Sequence, residues 1–257
     1  MQAGHKDRGA AETNMPSRLA AVSDLEVFFV DLAKSASLLD AEEKATPRLS
    51  VSDHNRVASM SGDGEGRRLW RNARIATRIV LERAGGPGIR QVDFEIEPGG
   101  RPKLPAGSPG FNVSHTGEAA LIAVSKNAPV GVDLERKERS IKMSGDRRQR
   151  IIAAAERIGS DRQLSPILDT DVMKAWVRLE AAAKALGIGI GRLLTEEGVV
   201  GSKARSQPHG ARDAMEVRLL DVGESYVAAI AAERLPEKID VLSFPADDLD
   251  GFIPQRS

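Results

Sequence analysis

The sequence predicts an α+β fold built from two halves, and three observations support this prediction. A long segment early in the chain has the apolar periodicity of an amphipathic helix. Short apolar segments follow it, separated by Gly- and Pro-rich turns, which favours antiparallel strands. A second helical region and a final pair of apolar segments come after residue 130. This order of helix, strands, helix and strands favours two α+β units that meet near that residue.

The chain accordingly divides into four stretches. Residues 1–20 are polar and are predicted to form a disordered extension. The N-terminal α+β half is predicted at residues 21–130, and the C-terminal half at residues 131–235. Residues 236–257 form an acidic tail that is interrupted by proline.

The helices of the first half differ in how clearly they are indicated. Residues 25–39 are apolar, but their pattern does not distinguish a strand from a helix. A helix is predicted to begin soon afterwards, with Ser50 or Ser52 as its N-cap. The clearest helix covers residues 67–84 and ends at the Gly-rich run 85–88.

The helix over residues 67–84 carries two stripes of side chains. They are displaced by two positions, which at 3.6 residues per turn places them about 200° apart. The apolar stripe consists of Leu69, Ala73, Ala76 and Val80, and the basic stripe consists of Arg67, Arg71, Arg74 and Arg78. The sequence therefore predicts one buried face and one basic face, and the basic face is either solvated or a binding surface.

The other elements follow from apolar runs and from the turns between them. Strands are predicted at 92–97, 110–114, 119–125 and 130–135, and a closing hairpin at 216–221 and 225–233. Helices are predicted at 145–158 and at 171–186, where a Gly-rich run ends the second one.

Composition excludes several classes of function. The chain has 257 residues and no cysteine, which rules out disulfides, thiolate metal ligands and cysteine nucleophiles and fits a cytoplasmic protein. No apolar run approaches the ~20 residues that a membrane span needs, and the polar start lacks a secretory signal. Basic and acidic residues both number 37, so any phosphate binding must come from a local cluster.

Two carboxylates, Asp133 and Glu135, stand at the end of a predicted strand. Alternate side chains on a strand share a face, so both point to the same side. Adjacent carboxylates repel each other unless a cation lies between them. Mg²⁺ typically takes one or two carboxylates and completes its shell with water and substrate phosphates. The alternative interpretation of the pair is a solvated strand end.

Two further clusters carry polar side chains. Trp176, Glu180 and Lys184 recur every four residues and therefore share one helix face. The alternative is a surface Glu–Lys pair beside a core tryptophan, which contributes only about 0.3–0.5 kcal/mol. Ser114 and His115 lie where a strand passes into a turn, and the alternative there is a structural histidine.

In their order along the chain, these clusters resemble the 4′-phosphopantetheinyl transferases. The motifs are F-N-x-S-H-x-G, then G-x-D-x-E, then W-x-x-x-E-A-x-x-K-A-x-G. The chain resembles the single-chain surfactin-synthetase-activating type more than the short trimeric type. The resemblance runs from about residue 49 to about residue 194.

The resemblance implies a pseudo-dimer of two similar halves, each a small antiparallel sheet packed with a long helix. Coenzyme A and Mg²⁺ would bind between the halves of a monomer. The implied activity transfers the 4′-phosphopantetheine arm of coenzyme A to a serine of an apo acyl or peptidyl carrier protein and releases 3′,5′-ADP.

The resemblance also implies roles for individual residues. Asp133, Glu135 and Glu180 match the metal ligands. His115 and Ser114 match the pair that contacts the phosphates of the coenzyme. Lys184 matches the lysine near the pyrophosphate. Glu180, Lys184 and His115 are thus the implied catalytic set.

Weaker matches concern the nucleotide. Arg56 and Arg68 are candidates for binding its 3′-phosphate. Gly100, Arg101 and Pro102 stand where the family has a G-K-P turn.

Two departures from the family pattern are visible. Leu179 replaces the usual lysine before the helix glutamate. The usual F-x-x-x-E stretch, which touches the carrier protein in the family, is missing, and residues 147–158 stand in its place.

Two other functions remain in view. One is a degenerate protein that binds coenzyme A or the carrier without transferring anything, although drift would not spare the acidic residues, His115 and Lys184 selectively. The other is a nucleic-acid binder built on the basic helix, which zero net charge and the lack of interleaved aromatic residues disfavour.

Overall fold

A computed structural model of the chain describes residues 24–126, 128–159, 164–200 and 215–254. The extension predicted at residues 1–20 lies outside these ranges. The helices in the described ranges are α1 Ala36–Ala45, α2 Val51–Ser59, α3 Gly64–Gly85, α4 Gly145–Ile158, α5 Asp169–Ala185 and α6 Ile190–Glu196. None of them is both long enough and apolar enough to cross a membrane.

The first sheet consists of β1 Leu25–Asp31, β4 Gly110–Thr116, β5 Ala119–Ser125 and β9 Val241–Ser243. Its strand order is β4-β5-β1-β9. β5 is antiparallel to both of its neighbours, with Ser125 opposite Leu25 on β1. β9 runs parallel to β1, so the segment after residue 236 adds an edge strand to the N-terminal half.

The second sheet consists of β6 Val130–Arg136, β7 Glu216–Leu220 and β8 Tyr226–Ala232. It is antiparallel, with the strand order β6-β8-β7. A separate two-stranded antiparallel sheet consists of β2 Glu95–Ile96 and β3 Pro102–Lys103, which a turn connects. The mixed α and β content predicted from the sequence is confirmed.

Each sheet packs against one long helix, because apolar side chains of the strands meet apolar side chains of that helix. Ile75 and Ile79 of α3 lie in one core cluster with Phe28 of the first sheet. Val177 of α5 lies in another with Val227 of the second sheet. A third cluster joins the two sheets and consists mainly of residues from β5, β6 and β8.

Most predicted boundaries agree with the structure to within a few residues. Residues 25–39, which the pattern left undecided, contain strand β1 and then the start of α1. Ser50 rather than Ser52 caps α2, because its hydroxyl accepts the N–H of Asp53 in a capping box. The strand predicted at 92–97 is reduced to two residues.

Only part of the basic stripe of α3 is solvated: Arg67 is exposed and Arg71 is half-buried, whereas Arg74 and Arg78 have partners inside the protein. Arg78 is buried, and its guanidinium donates to the carboxylate of Asp53 and to the carbonyl of Val92. Arg74 pairs with the other oxygen of Asp53 at 3.2 Å and lies over the ring of Phe94. A planar guanidinium can be buried when a carboxylate and an aromatic face offset its lost hydration. Periodicity alone cannot show such partners.

Candidate active site between the two sheets

The two sheets meet where β4 runs beside β6, and side chains connect these strands. The side-chain oxygen of Asn112 accepts the N–H of Val132 at 3.0 Å. The hydroxyl of Ser114 donates to Asp133 Oδ1 at 2.8 Å. These contacts fix two of the sequence motifs, F-N-V-S-H and G-V-D-L-E, in register with each other.

Helix α5 lies directly against β6 at Gly131. A Cβ atom at this position would stand 2.1 Å from the carbonyl oxygen of Ala181 and 2.4 Å from the nitrogen of Ala185. The close approach brings the third motif to the first two. Lys184 Nζ donates to Asp133 Oδ1 at 2.7 Å and to the carbonyl of Val132 at 3.1 Å.

We expect Gly131→Ala to separate α5 from β6, because the atoms that a Cβ would meet belong to the backbone of the helix and cannot rotate away. Overpacking of this kind costs about 1–3 kcal/mol of unfolding free energy. Denaturant unfolding measures that loss. Gly145→Ala is the control, since a Cβ there meets nothing within 4 Å. Equal stability of the two variants would contradict the close approach.

Asp133 is the centre of the cluster and is 6% exposed. Its Oδ1 accepts from both Ser114 and Lys184. Its Oδ2 is buried and has no hydrogen-bond partner among the described residues. A buried carboxylate oxygen without a partner is costly unless a cation or a donor reaches it. This oxygen is therefore a candidate metal ligand.

Glu180 lies half-buried one helical turn before Lys184. Burial, followed by the negative charge of Asp133, raises its pKa to about 7, against the opposing effect of Lys184, and Glu135 adds to the rise. Glu180 is thus within electrostatic reach of both Asp133 and Glu135. Glu135 itself forms an ion pair with Arg139 at 2.5 Å.

Mg²⁺ suits part of this donor set. Within the described ranges, no three Asp, Glu or His side chains stand close enough together to hold a metal ion. Mg²⁺ nevertheless often takes only one or two carboxylates, and Asp133 offers a buried oxygen without a partner. A bound cation would lower the raised pKa of Glu180 and favour its ionised form. The three-carboxylate magnesium site stays a prediction.

The raised pKa of Glu180 predicts a pH dependence of stability. The pKa of about 7 in the folded state lies above the ordinary glutamate pKa of 4.5, so the folded state holds the proton more tightly. The stability that the protonated Glu180 contributes is fully present below pH 4.5 and is lost as pH rises through 7. We expect Glu180→Gln to gain stability relative to the parent over this window. Denaturant titrations at several pH values measure the difference, and a constant difference would contradict the shift.

His115 follows Ser114 on β4 and lines a cavity of about 170 Å³. Desolvation of its imidazole, followed by the charges of Lys184 and Arg74, lowers its pKa. This shift favours the neutral imidazole, which can donate one hydrogen bond. The cavity is also lined by Trp70, Ala73, Arg74, Thr77, Pro102, Asn112 and Val113. A cation, an indole and an imidazole thus border one small space.

Other predicted site residues lie elsewhere. Arg56, in the last turn of α2, and Arg68, in the first turns of α3, are exposed and do not line this cavity. Gly100 has a positive φ of 86° and forms the turn before β3. Pro102 borders the cavity, whereas the guanidinium of Arg101 contacts Glu97 and the end of α5.

Asn112, Trp70 and Arg74 line the cavity although no individual site role was predicted for them from the sequence. Asn112 could have been predicted, because it lies inside the F-N-x-S-H motif. Trp70 and Arg74 carried a weaker signal, since their spacing of four places them on one face of α3. Trp176 packs against the core of the C-terminal half, as its structural interpretation predicted.

Comparison with known proteins adds one relative. No protein-family model matches the chain. A stretch of 65 residues is 40% identical to a Synechocystis protein named "putative 4′-phosphopantetheinyl transferase". This stretch covers 24% of the chain and 26% of the relative, so the chain spans about a quarter of the relative's length. The chain is thus similar over one segment to a protein with that name.

Proposed function

We propose that the chain transfers the 4′-phosphopantetheine arm of coenzyme A to a serine of an apo acyl or peptidyl carrier protein, with Mg²⁺, and releases 3′,5′-ADP. The contact of Ser114 and Lys184 with one oxygen of Asp133 carries the proposal. It joins three motifs that are distant in sequence and that together resemble this family. The 40% identical segment of the Synechocystis protein supports the same family.

The acidic residues would hold the metal. Asp133 offers its unpartnered Oδ2, Glu180 lies opposite on α5, and Glu135 completes the set if its contact with Arg139 opens. When bound, Mg²⁺ supplies positive charge that stabilises the diphosphate during phosphoryl transfer.

The chain's own side chains would move the proton and orient the phosphates. The serine oxygen of the carrier attacks the phosphorus that bears pantetheine, a new P–O bond forms, and the P–O bond to 3′,5′-ADP breaks. Glu180 would accept the serine proton, because its carboxylate lies half-buried on α5 one helical turn before Lys184. Lys184 provides charge beside the leaving phosphate, and neutral His115 can donate to a phosphate oxygen.

Mass spectrometry of the carrier tests this proposal. The chain is incubated with coenzyme A, Mg²⁺ and a panel of apo carrier proteins, and each carrier is weighed for the added phosphopantetheine. A carrier whose acceptor serine is replaced by alanine serves as a control. We expect a gain that depends on Mg²⁺ and on the serine. Tight binding of coenzyme A without a mass gain on any carrier would indicate the degenerate binding protein instead.

A further inference from the structure

The guanidinium of Arg101 donates hydrogen bonds to two protein acceptors. Its Nε donates to Glu97 Oε2 at 2.7 Å, and a terminal nitrogen donates to the carbonyl oxygen of Ala185 at 2.9 Å. The side chains of Arg101 and Glu97 are 18% and 25% exposed. The hydrogen bond from Arg101 lowers the pKa of Glu97, so the pair is ionised at neutral pH. Arg101 therefore connects a turn of the N-terminal half to a helix of the C-terminal half.

The carbonyl oxygen of Ala185, which accepts from Arg101, belongs to the end of α5. The last four carbonyls of a helix have no partner within the helix, and that end carries partial negative charge. The amides after the helix bond to the carbonyls of Ala182, Ala183 and Lys184. The guanidinium of Arg101 supplies a donor for the carbonyl of Ala185, and its charge stabilises the helix end.

The backbone around this contact is packed too closely for larger residues. A Cβ at Gly99 would stand 1.7 Å from the carbonyl oxygen of Gly187. Gly187 has a φ of 66°, and a Cβ there would lie 3.2 Å from Glu97 Oε2 and 3.5 Å from Arg101 Cζ. The turn at residues 97–101 thus lies directly on the end of α5, with the ion pair above Gly187.

We propose that Arg101 is a positioning residue, which fixes the end of α5 and through it Lys184 and Glu180. Lys184 directly precedes Ala185, whose carbonyl Arg101 holds, and it reaches Asp133 on β6 of the same half. The effect of Arg101 on catalysis rests on the proposed function. It differs from the resemblance, which places the G-K-P turn of the family against the coenzyme.

Two substitutions separate positioning from coenzyme binding. Arg101→Met removes both hydrogen bonds, whereas Arg101→Lys keeps the charge but loses the planar fork that spans both acceptors. The family carries a lysine in this turn, so Arg101→Lys should behave like the parent if the residue binds the coenzyme. Lys103→Met is the matched control, because Lys103 lies on the same hairpin and pairs with Glu95 across it.

The experiment combines amide hydrogen exchange of residues 180–188 with steady-state kinetics on coenzyme A and an apo carrier. We expect both Arg101 variants to exchange faster in this segment. We expect kcat to fall about ten- to a hundredfold, with the KM for coenzyme A within about twofold of the parent, because small misplacements of catalytic groups act on the chemical step. Lys103→Met should match the parent in both measurements.

Parent-like exchange in Arg101→Met overturns the proposal, as does a raised KM with unchanged kcat. Parent-like behaviour of Arg101→Lys in both measurements overturns it as well, because one nitrogen would then suffice. If the parent chain loads no carrier, the proposed function fails, and the exchange measurement still decides whether Arg101 holds the end of α5.

Discussion

Asp133→Asn is expected to abolish loading of the carrier while leaving the fold intact. The substitution keeps the shape of the side chain but removes the charge that accepts from Ser114 and Lys184 and that would bind Mg²⁺. Loss of one preorganised electrostatic group costs about a hundred- to a thousandfold in kcat, and loss of the proposed metal ligand would add to this. The measurement is the initial rate of carrier loading, with circular dichroism as the check on folding.

The matched control for Asp133→Asn is Asp240→Asn, which removes a carboxylate paired with Lys238 on the surface. Its rate should equal that of the parent. A folded Asp133→Asn variant with parent-like turnover would remove Asp133 from the site, and with it the main argument for the proposed chemistry. If that variant binds Mg²⁺ as the parent does, Asp133 is not a metal ligand, and only that part of its role is withdrawn.

Phe252→Ala is expected to lower the free energy of unfolding by about 3–5 kcal/mol, the usual cost of truncating a buried phenylalanine. Phe252 is 2% exposed, and its ring lies 5.4 Å from that of Phe28 and 5.3 Å from that of Phe244. Its carbonyl also accepts from Arg83, which pairs with Glu26 on β1. Phe252 is therefore part of the core of the N-terminal half.

Guanidinium chloride unfolding measures this loss. Ile167→Ala serves as the control, because Ile167 is 85% exposed and exposed positions usually change stability by less than about 0.5 kcal/mol. A loss below about 1 kcal/mol in Phe252→Ala would show that residues 241–254 contribute little to the folded core. A large loss would show that the last strand and the aromatic residues after it hold the C-terminal segment to the first sheet.

The periodic elements could be predicted because their signals are local. Helix α4 lies where residues 145–158 predicted it, and β5 coincides with residues 119–125. The segment after residue 236 could not be placed in this way. β9 has three residues, and it forms only because β1 offers an unpaired edge that lies far away in sequence.

Packing explains one departure from the family pattern, the presence of Leu179 in place of the usual lysine. Leu179 is fully buried within the core of the C-terminal half, where a lysine would lose its hydration without a gain in charge pairing. The spacing of Glu180 and Lys184 places both on the same side of α5, away from Leu179. The sequence showed the substitution, and the core explains why an apolar residue fits there.

By itself the sequence determined the α+β class, most element positions and the residues able to carry chemistry, because these depend on periodicity and residue type over short distances. Only the tertiary structure decided which of these residues meet. It joined Ser114, Asp133 and Lys184, buried Arg78 and directed Arg101 to the end of α5. Such contacts arise from close packing between distant segments, as at Gly131, and no local pattern encodes them.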